Sequence, residues 1–365
     1  MTKMQQLAEL GQSVWLDFIR RSLIASGELQ RLIERGLRGM TSNPSIFAKA
    51  IGGSDDYDDQ LRRLAASDMP LMDLYEALAI EDIRAAADLF RPLYDRTDGR
   101  DGYVSLEADP RLADDTDGTL KEVRHLWATV DRPNLMVKVP ATAAGIPAIR
   151  TLIAEGININ VTLMFSLAHY DAVAEAYISG LEDLAERGGD LARVASVASF
   201  FVSRVDTAVD RELERIGNTD LQGKIAVANA RLAYARFRET FSGERWERLA
   251  GRGARVQRPL WGSTSTKNPS YPDTKYVDEL IGPNTVNTIP PETLQAFEDH
   301  GKVALTLEKG VDEARERVRR LSEMGIDLDA ITEELQRDGV KAFADSFEDL
   351  LQAIEAKREK IGAGG

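Results

Sequence analysis

The sequence predicts an α/β protein made of a single (β/α)8 TIM barrel that covers residues 1–365. Two observations lead to this fold class. Short apolar or β-branched segments, typical of buried strands, occur eight times along the chain, and segments with helical periodicity separate them. Strands that alternate with helices favour a parallel sheet, and eight such units close most naturally into a barrel.

Each predicted strand is a short run of apolar or β-branched residues. In chain order the strands are Val14–Ile19, Gly39–Thr41, Tyr103–Glu107, Leu135–Val139, Ile157–Leu163, Val194–Val202, Pro259–Ser263 and Thr285–Thr288. A doubly wound sheet is the competing architecture, and it usually has a glycine-rich turn after its first strand. Here Arg20, Arg21 and Ser22 follow the first strand, which favours the barrel.

Helical segments connect the predicted strands. They are Gly27–Arg35, Leu71–Leu89, Thr119–Val130, Gly145–Glu155, Ser166–Glu186, Ser203–Arg215 and Gly223–Ser242. Residues 44–102 are long for one crossover and have their own helical periodicity, so we predict a helical insertion there, after the second strand. Residues 292–361 keep a helical pattern, and we predict that they form a C-terminal helical extension packed on the barrel.

The composition excludes several classes of function. The formal net charge is −14, and an acidic chain repels phosphate backbones and anionic lipids, so neither nucleic acid nor membrane is an expected partner. The lack of cysteine excludes disulfides, thiolate metal sites and cysteine nucleophiles. The three histidines have no metal-ligand spacing, so we expect neither a metal nor a cofactor. Without a signal peptide or a long apolar stretch, we expect a cytoplasmic monomer or homodimer.

Polar side chains inside the predicted strands share one face of the barrel wall. Side chains along a strand alternate between faces, and in a barrel one face points to the lumen. Asp17, Glu107 and Lys138 each lie opposite in phase to their aliphatic neighbours, and Asn160 and Thr162 do so on the fifth strand. These residues lie near the carboxyl ends of their strands, where the active sites of such barrels form.

Lys138 is the most informative of these residues, because it is the one lysine between Lys121 and Lys224 and lies in an apolar strand. A lumen that excludes water disfavours the ammonium form, and a neutral amine can attack a carbonyl to form a Schiff base. The alternative is a structural lysine paired with Glu107 or Asp17 as a buried charge brace. The amides and hydroxyls on the same face favour the Schiff-base lysine.

The other in-facing groups fit imine chemistry. Glu107 and Asp17 are carboxylates that can divide the proton transfers which this chemistry requires. Asn43, Asn160 and Thr162 are neutral groups suited to hold the hydroxyls of a polyhydroxylated substrate. The alternative for each is an ordinary hydrogen bond in a turn or at a strand end, and Asn43, before a proline, also fits a helix start.

An anionic substrate would need a local basic pocket in so acidic a chain. Arg204 follows the sixth strand, and Lys267 follows the seventh, beside the hydroxyl and backbone N–H of Ser263. Phosphate sites in these barrels are commonly built from late loops of this kind. The alternatives are an ion pair with Asp206 or Asp210 for Arg204, and a solvated loop charge for Lys267.

These strand-end segments together resemble the transaldolase family, of the longer type with a C-terminal helical extension. The matching segments, in the family's order from Val14 to Pro269, are VWLDFIR, RGMTSNPSIF, GYVSLEADPRLA, LMVKVPATAAGIPAI, ININVTLMFS, ASFFVSRVD and WGSTSTKNP. One segment departs from the pattern, because many transaldolases have arginine in ASFRN where this chain has lysine in STSTKN. Lysine binds phosphate as a point charge, so either Lys267 or a neighbouring residue grips the phosphate.

The resemblance implies a role for each candidate residue. Lys138 forms the Schiff base with a ketose phosphate, Asp17 takes the proton from the C4 hydroxyl, and Glu107 moves protons through a water held with Thr162. The remaining assignments are Asn43, Asn160 and Ser199 for the hydroxyls of the dihydroxyacetone unit, Thr41 and Phe201 for the lining of the site, and Ser263, Arg204 and Lys267 for the phosphate.

The reaction that the resemblance implies belongs to the pentose phosphate pathway. A dihydroxyacetone unit passes from sedoheptulose 7-phosphate to glyceraldehyde 3-phosphate, which gives erythrose 4-phosphate and fructose 6-phosphate. The expected partners are therefore sugar phosphates. A fructose-6-phosphate aldolase of the same superfamily is the alternative, since it would keep Lys138 but release the three-carbon unit.

Overall fold

Eight parallel strands form a closed barrel in the computed structural model, which describes residues 1–65 and 69–363. The strands are β1 (Gln12–Asp17), β2 (Gly39–Thr41), β3 (Tyr103–Glu107), β4 (Leu135–Pro140), β5 (Ile159–Met164), β6 (Ser196–Phe201), β7 (Arg258–Gly262) and β8 (Thr285–Ile289). Each strand pairs in parallel with the next, and β8 pairs with β1, which closes the sheet. The predicted (β/α)8 barrel is confirmed.

The predicted strand ends differ from the observed ones for local reasons. β1 begins earlier than predicted because Gln12 pairs with Thr285 of β8, and it ends at Asp17. β5 continues one residue beyond the prediction, through an irregularity in its pairing with β6 between Val161 and Met164. Bulges of this kind depend on the neighbouring strand, so a single-strand pattern does not reveal them.

Helices flank the strands. In chain order they are α1 (Lys3–Glu9), α2 (Arg21–Ala25), α3 (Glu28–Glu34), α4 (Pro44–Gly52), α5 (Asp58–Ala65), α6 (Leu71–Arg96), α7 (Thr116–Val130), α8 (Gly145–Ala154), α9 (Leu167–Glu186), α10 (Ser203–Arg215), α11 (Ile225–Thr240), α12 (Gly243–Ala250), α13 (Lys275–Asp278), α14 (Pro291–His300), α15 (Val311–Glu323) and α16 (Leu328–Ala363). Helices α4 to α6 lie within the predicted insertion 44–102, of which residues 66–68 are outside the described residues. Among the described helices, none is both long and apolar enough to cross a membrane.

Helix α1 is absent from the predicted helices, although the sequence contains its capping signal. The hydroxyl of Thr2 accepts from the backbone N–H of Gln5 at 3.2 Å, and the Gln5 side chain accepts from the backbone N–H of Thr2 at 3.0 Å. This capping box starts the helix, and Met4 and Leu7 bury its apolar face in the core. With two apolar positions, α1 is too short to show a clear periodicity.

The lumen of the barrel changes from apolar to polar along the strands. Its apolar layer consists of Trp15, Tyr103, Met136, Val197, Leu260 and Val286. The residues two positions further along the same strands are Asp17, Ser105, Lys138, Ser199, Gly262 and Thr288. Because side chains alternate along a strand, both sets share the in-facing parity that the sequence predicts. The second set, which is polar except for Gly262, lies towards the carboxyl ends of the strands.

Helix α16 reaches the carboxyl end of the barrel. The side-chain amide of Gln336 donates to the carbonyls of Ala141 and Leu163, both at 3.0 Å. These carbonyls lie just after β4 and near the end of β5. Seven residues further along the helix, the ring of Phe343 has its centroid 5.6 Å from Lys138 Nζ. The helix therefore forms one wall of the barrel mouth.

Candidate active site

Lys138 is buried near the carboxyl end of β4. Its Nζ donates to Glu107 Oε2 at 2.9 Å and to the Ser42 carbonyl at 3.1 Å. The contact with Glu107 follows from the sheet register, in which Glu107 on β3 and Lys138 on β4 are paired residues. Phe343 of α16 adds a cation–π contact. Neighbours from three parts of the chain thus fix the position of the amine.

The ion pair between Lys138 and Glu107 is also what a structural charge brace would show, so the contact alone does not separate the two interpretations. Access to a substrate separates them. Lys138 lines a cavity of about 170 Å³ at the carboxyl end of the barrel. A brace within a packed core needs no such opening, whereas a nucleophile needs space for the carbonyl that it attacks.

Glu107 is buried beside the lysine. Burial raises the pKa of its carboxyl, and the charge of Lys138 and the hydrogen bond with it oppose this shift. A carboxyl with a raised pKa keeps its proton at a higher pH than an exposed glutamate does. Glu107 is therefore better suited than an exposed glutamate to give a proton to a neighbouring group.

Asp17 occupies a different environment at the end of β1. The Thr41 hydroxyl donates to Asp17 Oδ1 at 2.7 Å, and it lies 2.6 Å from the Thr288 hydroxyl. Burial raises the pKa of Asp17, while the Thr41 hydrogen bond and the charge of Lys138 lower it. Glu107 therefore contacts the lysine and Asp17 a hydroxyl, and such different environments let two carboxyls take different roles.

A hydrogen-bonded chain runs across three strands of the lumen. The side-chain amide of Asn160 donates to Ser105 Oγ at 3.0 Å, and the Ser199 hydroxyl donates to Asn160 Oδ1 at 2.6 Å. All three residues are buried. These hydrogen bonds hold the Ser199 hydroxyl at the edge of the cavity, where it can accept a hydrogen bond from a ligand.

Thr162 and Asn43 also line the cavity. The Thr162 hydroxyl is buried and has no hydrogen-bond partner within the described part of the chain. A buried polar group in this state costs free energy unless water or a ligand satisfies it. Asn43 Oδ1 accepts from the backbone N–H of Ile46 at 2.9 Å, so the helix-start interpretation of Asn43 is correct and the residue caps α4.

Two cations, Arg204 and Lys267, lie at the same cavity as Lys138. Burial lowers the pKa of Arg204, and burial followed by repulsion from Arg204 lowers the pKa of Lys267. Two cations that repel each other are stabilised by a shared anion. The carboxylates of Asp206 and Asp210 accept hydrogen bonds from tyrosine hydroxyls. The alternative ion pair of Arg204 with these carboxylates is therefore not formed.

The cavity brings most of the predicted site residues together. Its lining includes Asp17, Thr41, Asn43, Lys138, Thr162, Ser199, Phe201, Arg204, Ser263 and Lys267. Glu107 and Asn160 are not part of the lining. They contact it through hydrogen bonds to Lys138 and Ser199.

Several lining residues were not predicted as site residues. They are Leu260, Gly262, Thr288, Pro290 and Phe343. Thr288 shares the in-facing parity of Val286 on β8, so strand alternation could have identified it. Phe343 has no comparable local signal, because only the packing of α16 over the barrel brings it to the site.

The groups around the cavity are suited to imine chemistry on an anionic carbonyl compound. An amine in an open cavity can form an imine with a carbonyl compound, and two carboxyls in different environments can move the protons. The pair of cations can hold an anionic group of the same compound. The fold and the site therefore fit the class of lysine-dependent (β/α)8-barrel enzymes.

Comparison with known proteins identifies the family within this class. The family model described as Transaldolase/Fructose-6-phosphate aldolase matches residues 14–354. A transaldolase of Saccharopolyspora erythraea is 50% identical over 362 residues, which cover 98% of each chain. A transaldolase of Thiobacillus denitrificans is 51% identical over 354 residues, which cover 96% of this chain and 99% of its own. The chain belongs to the transaldolase/fructose-6-phosphate aldolase family.

Proposed function

We propose that this protein is a transaldolase of the pentose phosphate pathway. It transfers a dihydroxyacetone unit from sedoheptulose 7-phosphate to glyceraldehyde 3-phosphate, and the products are erythrose 4-phosphate and fructose 6-phosphate. The observation that carries the proposal is the placement of Lys138, which contacts Glu107 and lines a cavity together with Arg204 and Lys267. Relatives named transaldolase, about half identical over nearly the whole chain, support it.

The first step is imine formation. Lys138 passes a proton to Glu107 across their hydrogen bond, and the resulting neutral amine attacks the C2 carbonyl of the ketose phosphate. The carbinolamine that forms then loses water to give the imine. Protonation of the leaving hydroxyl is the task of Glu107, which contacts Lys138 directly. The Thr162 hydroxyl is buried and has no partner in the described chain. A water that it holds carries the proton from Glu107 to the leaving hydroxyl.

The second step breaks the bond between C3 and C4. Asp17 removes the proton of the C4 hydroxyl, the C4 oxygen forms the aldehyde carbonyl, and the electron pair of the broken bond passes to C3. The imine accepts this charge, so an enamine of dihydroxyacetone remains on Lys138 while erythrose 4-phosphate leaves. Attack of the enamine on glyceraldehyde 3-phosphate reverses the step, and water then releases fructose 6-phosphate.

Binding groups surround these reacting atoms. Asn43, Asn160 and Ser199 hold hydroxyls of the three-carbon unit, while Thr41 and Phe201 line the site. Arg204, Ser263 and Lys267 bind the phosphate. A phosphate far from the reacting carbons supplies binding energy that holds the substrate in place for the chemical step.

Trapping with borohydride tests the lysine chemistry. We expect that fructose 6-phosphate and sodium borohydride together attach a three-carbon unit irreversibly to Lys138, detected by intact mass and peptide mapping. The Lys138→Met variant keeps a side chain of similar length without the amine, and it should remain unmodified. An unchanged mass of the parent protein under these conditions would refute the Schiff-base mechanism.

The aldolase alternative differs in the fate of the enamine. We expect release of glyceraldehyde 3-phosphate from fructose 6-phosphate to stop after about one equivalent per site unless erythrose 4-phosphate is added. Continuous release without an acceptor, at the rate seen with erythrose 4-phosphate, would establish an aldolase instead. A cytoplasmic location and a monomeric or homodimeric state stay predictions from the sequence.

A further inference from the structure

Two carboxylates on one face of α10, Asp206 and Asp210, are both buried and lie one helical turn apart. Each accepts one hydrogen bond from a backbone N–H and one from a tyrosine hydroxyl. Asp206 accepts from Ala226 N–H at 2.7 Å and from the Tyr276 hydroxyl at 2.8 Å. The tyrosine comes from α13, after β7, so this carboxylate links two separate parts of the chain.

Asp210 repeats the arrangement. It accepts from Gly223 N–H at 2.9 Å and from the Tyr271 hydroxyl at 2.6 Å. The Tyr271 ring packs directly on Gly223, where an added Cβ would come within 2.6 Å of the ring. We call Asp206, Asp210, Tyr271 and Tyr276 the Asp–Tyr clamp. Burial, together with the neighbouring carboxylate, raises the pKa of both tyrosines, so their hydroxyls remain proton donors at neutral pH.

The Asp–Tyr clamp joins the two segments that carry the cations of the cavity. Arg204 lies on α10, two residues before Asp206, and Lys267 lies on the loop after β7, four residues before Tyr271. At the other end of this loop, the Ser203 backbone N–H donates to the Ser263 carbonyl at 3.0 Å. The loop is therefore fastened to α10 on both sides of Lys267.

We infer that the Asp–Tyr clamp positions Arg204 and Lys267 for anion binding, by holding the loop of Lys267 against the helix of Arg204 at the spacing that a phosphate group requires. This inference rests on the proposed function, in which these cations bind the substrate phosphate. Tyr271 and Tyr276 are positioning residues, since they act on the ligand through Lys267 and Ser263.

Charge repulsion is the reason that such a clamp is needed. Burial, together with repulsion by Arg204, lowers the pKa of Lys267, and an unrestrained loop would relax by moving the two cations apart. The Lys267 Nζ donates to Ser265 Oγ of the same loop at 2.5 Å, so this contact does not tie the loop to α10. The clamp's hydrogen bonds to carboxylates are charge-assisted and stronger than neutral ones, and they oppose the separation.

The test compares phosphate binding with phosphate-independent chemistry in Tyr271→Phe, Tyr276→Phe and Gly223→Ala. Gly223→Ala disturbs the clamp without removing a hydroxyl, since its Cβ meets the Tyr271 ring and the left-handed backbone at this position (φ 65°) is strained for alanine. We expect the inhibition constant of inorganic phosphate and the KM for erythrose 4-phosphate to rise about three- to tenfold, which is less than the full effect of losing one hydrogen bond to a charged group because the tyrosines act indirectly. Borohydride tethering of dihydroxyacetone, which has no phosphate, should keep its parental rate.

Tyr170→Phe is the matched control, because the Tyr170 hydroxyl is buried and has no partner within the described residues. It should leave both readouts unchanged. Parental phosphate inhibition in the three clamp variants would overturn the inference, and so would a parallel loss of phosphate binding and dihydroxyacetone tethering. If dihydroxyacetone and borohydride leave no adduct on the parent protein, the proposed function fails. This outcome is distinguishable from failure of the inference about the clamp, which appears only in the variants.

Discussion

At the scale of single residues, the contact between Glu107 and Lys138 indicates that Glu107 and Asp17 transfer different protons. Glu107 is the one that touches the amine, and burial raises its pKa, so it can supply the proton that expels water from the carbinolamine. Asp17 contacts Thr41 instead, in keeping with its proposed role as the base for the substrate hydroxyl. The sequence predicted both carboxyls from strand parity, but the difference in their partners depends on the register of neighbouring strands.

Glu107→Gln tests this division. We expect the rate of borohydride tethering and kcat to fall by about 10²- to 10⁴-fold, the usual contribution of a general acid or base, with the circular dichroism spectrum unchanged. Glu122→Gln is the matched control, because burial also raises the pKa of Glu122, but the residue lies on α7 outside the cavity. Normal turnover by Glu107→Gln would remove Glu107 from the mechanism.

Asp206 makes the stability of the protein depend on pH. Burial, more than its repulsion by Asp210, raises the pKa of the Asp206 carboxyl to about 6. The same carboxyl titrates near pH 4 in an unfolded chain. Between these values the folded protein binds more protons than the unfolded chain, so this carboxyl lowers the free energy of unfolding as the pH rises from about 4 to about 6.

Asp206→Asn removes this titration. The quantity to follow is the free energy of unfolding of the parent minus that of the variant. As the pH falls from 7 to 4, this difference should increase by roughly 2–3 kcal/mol, the equivalent of a shift of about two pKa units. Urea denaturation of both proteins across this range measures the difference. A difference that stays constant with pH would show that the Asp206 carboxyl has an ordinary pKa in the folded protein.

At the scale of elements, α16 connects the C-terminal part of the chain to the strand ends that carry the site. Gln336 is the donor for the carbonyls of Ala141 and Leu163. Leu163 has a φ of 59°, a left-handed conformation that is strained for leucine, and it directly follows Thr162. The contact with Gln336 thus supports the backbone beside a candidate catalytic residue.

Gln336→Leu removes this support while keeping a side chain of similar size. We expect the free energy of unfolding to fall by about 1–3 kcal/mol, since two carbonyls lose their donor, and kcat to fall severalfold. Gln352→Leu, at an exposed position of the same helix, is the control and should change neither quantity. Loss of stability with an unchanged kcat would mean that α16 packs on the barrel without supporting the site.

At the scale of the whole molecule, the strands and their in-facing residues were predictable because a barrel repeats one local rule, the alternation of side chains between two faces. Asp17, Lys138 and Thr162 follow from that rule alone. The position of Phe343 and the partners of Asp206 do not, because they depend on how distant segments pack, and helical periodicity says only that α16 has a buried face. The loop of Lys267 was predicted from its basic residue after the seventh strand and from the resemblance, but its attachment to α10 through two tyrosines needed the structure.

The two ends of the barrel have different tasks. At the end opposite the cavity, the buried Asp101 accepts from Ser13 at 2.6 Å and forms ion pairs with Arg38 at 3.0 Å and Arg258 at 3.3 Å. In barrels of this kind, catalytic groups lie at the carboxyl ends of the strands, and residues at the other end contribute to stability. A buried cation that loses its partner is costly, so this network is expected to govern unfolding and not turnover.

Asp101→Asn should therefore lower the free energy of unfolding by about 3 kcal/mol or more, because Arg38 and Arg258 keep their charges without a carboxylate between them. Measured well below the unfolding temperature, kcat and KM should match the parent. Asp98→Asn is the matched control at the same end, since Asp98 is fully exposed, pairs with Arg255 only at 3.4 Å, and has a positive φ that asparagine tolerates. A large loss of kcat in folded Asp101→Asn would show that the two ends of the barrel are coupled.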